Sequence, residues 1–330
     1  MNRFYTSVEM PEGLPRFSGR ERLLLMGSCF ATNIGTRLVE AKFACDVNPY
    51  GVLYNPMSIS AALREALEGK VYRADDLQAY GGLWHSPMHH GDFSAPTAEE
   101  ALKRINTRLE VLREELKGLD VLVATWGTAW VYEDAQTGCI VGNCHKRPER
   151  CFRRRRLTVE EVTDDWCDLV GRLRAANPSL RVLLTVSPIR HLRDGLHANQ
   201  LSKATLLLAA DRLVEAMPDV VGYFPAYELL NDELRDYRFY AADMVHPSDV
   251  AVDYVWQRFC EACLTDEARR VMDECDAIRK DLAHKPFRPD SDGYKKFLEQ
   301  ILLKIDQLNE KYPYLDFEKE RMTCRIRLNK

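Results

Sequence analysis

Five short apolar runs, each leading into a stretch of helical periodicity, constrain the fold of this chain more than any other feature. They occupy residues 23–26, 43–47, 121–125, 182–186 and 220–224. Apolar runs without alternation suit strands covered on both faces. Strands that alternate with helices predict a parallel, doubly wound α/β sheet with right-handed crossovers. Helices are expected at about 32–41, 58–68, 97–117, 158–176, 198–217 and 249–264, with a short one at 228–235. Residues 131–152 alternate weakly around Gln136-Thr137-Gly138 and read as an inserted hairpin ending in a basic loop, which runs to Arg156. Residues 1–20 are an irregular lead-in, and residues 70–97 show no period. Beyond Thr265 the chain becomes charged and strand-free, with helical stretches at 265–283 and 294–311. The expected division is an α/β domain over 1–264 and a C-terminal helical appendage over 265–330.

Composition narrows the function classes. A formal net charge of -4 gives no global field toward nucleic acid or a membrane surface. The run Lys146 to Arg156 is basic but lacks the interleaved aromatics of a single-strand binder, so a salt-bridged loop is expected there. No segment reaches the ~18 consecutive apolar residues of a membrane span, and the first residues lack a signal-type apolar core. A cytoplasmic protein is the expectation. The ten cysteines are scattered, which favours free thiols. Cys260-x-x-Cys263 lies in a helical pattern without a second pair, so it reads as part of a buried helix face.

Chemistry concentrates at strand ends. Leu23-Leu24-Leu25-Met26-Gly27-Ser28-Cys29 places a hydroxyl between a strand and a helix start, where open α/β sheets carry their ligands and where the helix dipole favours developing negative charge. Some 200 residues later, Asp243-Met244-Val245-His246 precedes a helix opened by Pro247-Ser248. In a turn that spacing brings the carboxylate to one imidazole nitrogen and leaves the other for a serine. These are the roles of a Ser-His-Asp triad.

Gly27-Ser28-Cys29-Phe30-Ala31 spells the signature of the GSCFA domain family, which resembles the SGNH (GDSL-like) hydrolase superfamily. The resemblance implies a flavodoxin-like, three-layer α/β/α sandwich with a five-stranded parallel sheet. It makes Ser28 the nucleophile, His246 the general base and Asp243 its orienter. It also implies an oxyanion hole drawn from Ser28 and Gly51. The superfamily's third block carries an asparagine where Gly127-Thr128-Ala129 has alanine, which leaves Thr128 as the substitute donor. Cys29 is a conceivable nucleophile, with its side chain expected to point away from that of Ser28.

Rim loops supply the substrate candidates His89, His145, Arg190 and His191, with Arg190 the contact for an anionic group. His85, His89, His90, Cys144 and His145 are zinc-type side chains, but their spacing matches no standard site, and no metal is assigned. The expected activity is that of a serine esterase or O-acyltransferase acting on a small-molecule or glycan ester, with carbohydrate O-acyl groups suggested by superfamily analogy. No cofactor, nucleic acid or membrane partner is called for. Two alternatives stand beside it: a non-catalytic carbohydrate- or protein-binding module of the same fold, and a metal-dependent hydrolase built on the His-rich loop.

Overall fold

A computed structural model describes residues 5–329. Of the expected irregular lead-in, residues 1–4 lie outside the described residues, as does Lys330 at the end of the appendage. In chain order the first elements are β1 (Arg22–Gly27), α1 (Cys29–Glu40), β2 (Ala44–Val47), α2 (Pro56–Leu67), β3 (Gln78–Tyr80), β4 (Leu83–His85) and α3 (Ala98–Lys117). Next come β5 (Val121–Trp126), β6 (Trp130–Asp134), β7 (Ile140–Val141), β8 (Phe152–Arg156), α4 (Val159–Ala176), β9 (Arg181–Val186), α5 (Gly195–Ala216) and β10 (Val221–Tyr223). The one-turn α6 (Ala226–Glu228), α7 (Asp249–Cys263), α8 (Asp266–Ala283), α9 (Asp292–Lys311) and α10 (Glu318–Leu328) complete the chain.

The central sheet has five strands in the order β10-β9-β5-β1-β2, and every pairing in it is parallel. This is the flavodoxin-like order, with its switch point beside β1. Strand periodicity sends alternate residues of β1 to opposite layers. Leu24 and Met26 join the core formed with α2, α3, α4 and α5. Leu23 and Leu25 join the one formed with α1 and α7. The molecule is therefore a three-layer sandwich, as the expected fold class has it.

Local signals account for the helix boundaries. Thr158 and Glu161 form a reciprocal capping box at α4, while Thr97 caps α3 by accepting from the Glu100 amide alone. Residues 70–97 contain the small β3–β4 hairpin, which its three-residue strands made invisible to periodicity.

The inserted region is a three-stranded antiparallel sheet, β7-β6-β8, rather than a hairpin. The end of the basic run is strand β8, not a loop. Three of its four arginines are paired internally: Arg153 and Arg155 both bind Glu133, Arg155 also binds Glu161, and Arg154 binds Asp194. Helices α8, α9 and α10 build their own core around Val271, Leu298, Ile301 and Phe317. They dock on the α1–β2 corner through a Lys42–Glu320 ion pair of 2.7 Å and through Lys42 over the Phe317 ring. Among the described residues no helix is long and apolar enough to cross a membrane.

Candidate active site

The turn after β1 is dictated by its glycine. Gly27 has φ +135°, and a Cβ there would overlap the Thr125 carbonyl of the neighbouring strand β5. Only glycine fits without displacing that backbone. Asn48 then ties the turn together. Its Oδ1 accepts from the Gly27 amide at 2.9 Å, its own amide donates to the Leu25 carbonyl at 2.8 Å, and its Nδ2 donates to Thr32 Oγ1 at 3.1 Å. Ser28 follows as the N-cap residue of α1 in extended conformation, yet its side chain makes no capping bond. Its hydroxyl is buried and has no hydrogen-bond partner among the described residues. A buried hydroxyl left in this way is costly.

His246 comes from the segment between β10 and α7. The Tyr240–Pro247 bridge closes this loop, and the Ala241 amide donates to the His246 carbonyl at 2.8 Å. Met244, in the left-handed region at φ +57°, turns the chain back. Asp243 then receives the amides of Val245 and His246 at 2.9 and 3.0 Å on one oxygen, and His246 Nδ1 at 2.6 Å on the other. The His246 amide, the imidazole and the Val245 amide hold the carboxyl down at about 2. A carboxylate at Nδ1 selects the tautomer with its proton on that nitrogen, so Nε2 is left with a free lone pair. Both side chains are about half exposed.

Ser28 and His246 border the same cavity of about 560 Å³. No hydrogen bond joins Ser28 Oγ to the imidazole; such contacts commonly tighten only with substrate in place. Cys29, Gly127, Thr128, Asn143, Arg190 and His191 also line this cavity. Cys29 and His246 face a second space of about 750 Å³ between α1, α7 and α8 as well.

The expected oxyanion donors are less free than the pattern implies. The Ser28 amide points at the Thr125 carbonyl over a long 3.4 Å, and the Gly51 amide donates to Asn48 O at 2.7 Å. The Thr128 amide donates to Tyr54 O at 2.9 Å, and its hydroxyl pairs with Ser202 and accepts from the Trp130 amide. Gly51 and Thr128 therefore have no spare amide for an oxyanion. Two other sources of donors belong to residues that line the cavity, Cys29 at the start of α1 and Asn143. The first-turn amides of α1 have neither a cap nor an intrahelical acceptor. Asn143 uses its Oδ1 to accept from the His145 amide, which leaves Nδ2 available.

Of the four substrate candidates, Arg190 and His191 line the cavity. His89 does not: it is buried, stacked on Tyr50 at 4.1 Å and bonded through Nδ1 to Ser86 Oγ, which makes it a core histidine. Burial pushes it down to about 3. His145 is likewise turned away, with Nε2 on the Ser86 carbonyl at 2.7 Å and its ring stacked on His85. Among the described residues no three His, Cys, Asp or Glu side chains converge on one point. The ten cysteines are unpaired, and Cys260 and Cys263 are buried on α7.

Lys203 is a supporting residue that sequence periodicity hides, because it lies on the buried face of α5 with Asn199, Ser202 and Leu206. Fully buried, it donates to the carbonyls of Gly127 at 2.6 Å and Ser187 at 2.5 Å, joining the loops after β5 and β9. Burial lowers its pKa to about 7. His191 donates through Nε2 to the same Gly127 carbonyl at 2.9 Å. Burial first, then the Lys203 charge, push His191 down to about 4.

The GSCFA family model matches residues 22–259, from β1 into α7, and the model of the GSCFA domain protein C-terminal domain matches 275–330. The chain belongs to the GSCFA family. Comparison with curated proteins gives no match. The matched span contains Ser28, Asp243 and His246, so the family module includes the whole cavity; the second match covers the second half of α8 and all of α9 and α10.

Proposed function

We propose that this GSCFA protein is a serine esterase or O-acyltransferase of SGNH-like mechanism. The observation that carries the reading is the pairing across one cavity of a buried, unpartnered serine hydroxyl with an imidazole whose Nδ1 is held by a carboxylate. Ser28 Oγ bonds to the ester carbonyl carbon while His246 Nε2 takes its proton. The carbonyl oxygen becomes an oxyanion at the N-terminus of α1, where the unpaired first-turn amides and the Asn143 side chain are the donors at hand. The carbon–oxygen bond breaks, His246 returns the proton to the departing alcohol, and an acyl-serine remains. Water or an acceptor hydroxyl, deprotonated by His246, then releases the acyl group. Asp243 stabilises the imidazolium in both halves.

The engaged amides of Gly51 and Thr128 favour a second reading, a binding module that keeps the fold without the chemistry. One experiment separates the two. A fluorophosphonate probe labels the wild type and not Ser28→Ala if the serine is activated, and p-nitrophenyl acetate turnover follows the labelling. A protein that is neither labelled nor active is the binding module.

A further inference from the structure

Among the described residues, the cavity beside Ser28 is lined by Arg154, Arg190 and Arg193 and by no aspartate or glutamate. Two of the three guanidiniums are neutralised from behind, Arg154 by Asp194 and Arg193 by Glu149. Neither carboxylate faces the cavity. Arg190 has no acidic partner among the described residues. It is gripped by two tyrosines instead, its guanidinium lying 4.3 Å from the Tyr240 ring centroid and 5.2 Å from that of Tyr237. A further bond of 3.3 Å runs from its Nη1 to the Tyr237 hydroxyl. Stacking fixes the plane of the fork and leaves its edge for a ligand. Tyr237 and Tyr240 belong to the loop that carries Asp243 and His246, so Arg190 is held at a set distance from the proposed base.

We infer that the substrate of this site is an anionic ester, whose carboxylate or phosphate, outside the scissile bond, binds Arg190. The inference rests on the hydrolase reading for the ester, and on the cavity's charge for the anion. A planar fork accepts either group in two parallel hydrogen bonds. Arg154 and Arg193 are already paired, so the unpaired positive charge at this wall is that of Arg190, and it favours an anion over a cation.

The test uses the full chain and two esters of equal acyl length, mono-p-nitrophenyl glutarate and p-nitrophenyl valerate. The expected kcat/KM ratio favours the glutarate ester by roughly tenfold or more. Arg190→Gln lowers that ratio by roughly tenfold, and Arg190→Lys, which keeps the charge but loses the fork, lowers it less. Salt at about 0.5 M shrinks the preference. A ratio of one in the wild type, or a ratio that Arg190→Gln leaves unmoved, overturns the inference. Absence of turnover with both esters counts against the hydrolase reading alone, and calorimetric titration then decides the anion site. Saturable binding of glutarate or methyl phosphate, weakened roughly tenfold in Arg190→Gln, supports it and tells carboxylate from phosphate. No binding of either below about 50 mM overturns it.

Discussion

Replacing Ser28 by alanine distinguishes a chemical hydroxyl from a structural one, because the two roles predict opposite changes in stability. A serine that caps its helix loses about 1 kcal/mol on becoming alanine. Here the capping bond is not made, so that loss does not arise. The Oγ atom is buried and unpartnered, and its removal relieves a desolvation cost of about 1–3 kcal/mol, less the packing of one oxygen atom. The variant is therefore expected to be as stable as the wild type or more stable, by up to about 2 kcal/mol. For 330 residues, the unfolding entropy is about 0.7 kcal/mol per kelvin, so Tm rises by at most about 3 °C. Turnover falls by on the order of 1,000-fold or more, equivalent to about 4 kcal/mol of lost transition-state stabilisation. Scanning calorimetry and p-nitrophenyl ester hydrolysis on one preparation read both quantities. A Tm lowered by about 2 °C or more shows that the hydroxyl holds the fold together. Turnover within about threefold of wild type shows that it is not the nucleophile.

Gly27→Ala should destabilise by about 2–4 kcal/mol in urea melts, since its Cβ would meet the Thr125 carbonyl and its φ is +135°; a shift below about 0.5 kcal/mol would show the turn to be adaptable. Asp243→Asn should leave the melt nearly unchanged, because the side chain is half exposed, while turnover falls on the order of 1,000-fold through loss of the selected tautomer; intact turnover would remove Asp243 from the mechanism. His89 and His191 are buried neutral, at about 3 and about 4. The unfolded chain takes up their protons first, so stability falls as pH drops below about 6.5, by up to about 1.4 kcal/mol per pH unit for each ring; urea melts at pH 7 and 5 on His89→Gln should show a shallower fall than wild type, and an equal fall refutes the assignment. Lys203 is held at about 7, so the unfolded chain carries the extra proton between that value and about 10.5 and stability rises with pH across this window; Lys203→Met should flatten the rise, and an unchanged slope would mean that the ammonium stays charged.

The sheet was legible because its strands are covered on both faces and so contain almost nothing but apolar residues. All five appear at the expected places, shifted by a residue or two at their ends: the first covers Arg22–Gly27 against 23–26, and the last Val221–Tyr223 against 220–224. Helix α10 was missed because its sequence is charged on most sides and it buries only Cys324. Strand β8 reads as loop in the sequence because four successive arginines break strand alternation, and the partners of three of them lie on other elements, β6, α4 and the α5 cap. Motif spacing located Ser28, Asp243 and His246, since a glycine turn and an i,i+3 carboxylate–imidazole pair are local devices. Asn48, Asn143 and Lys203 were not legible. Their roles depend on which loops meet in space, and a lone polar residue in a loop, or a lysine on a helix, has no local mark of that meeting. The same limit explains His89: next to His90 it resembles a rim residue, and only the packing of Tyr50 and Phe93 against it places it inside.

The two spaces that meet at His246 differ in charge, and the difference follows from which elements line them. The Ser28 cavity takes its walls from the loops after β5 and β9 and from strand β8, and these contribute Arg154, Arg190 and Arg193 without a carboxylate. The larger space lies between α1, α7 and α8 and contains Glu40, Asp249, Asp253, Asp273 and Asp276, against Arg37 and Arg279. Arg37 is paired with Asp253 and Arg279 with Asp276, so the remainder is acidic. Asp249 and Asp253 lie on α7 and Asp273 and Asp276 on α8, so this polarity is built partly by the C-terminal helices. Those helices therefore do more than cover the α1–β2 corner. They complete one side of the cleft in which the imidazole stands, with a positive pocket on its serine side and a negative groove on the other. An anion is therefore favoured on the serine side of the imidazole and a cation on the other, and ligands with the charges exchanged are disfavoured on both sides.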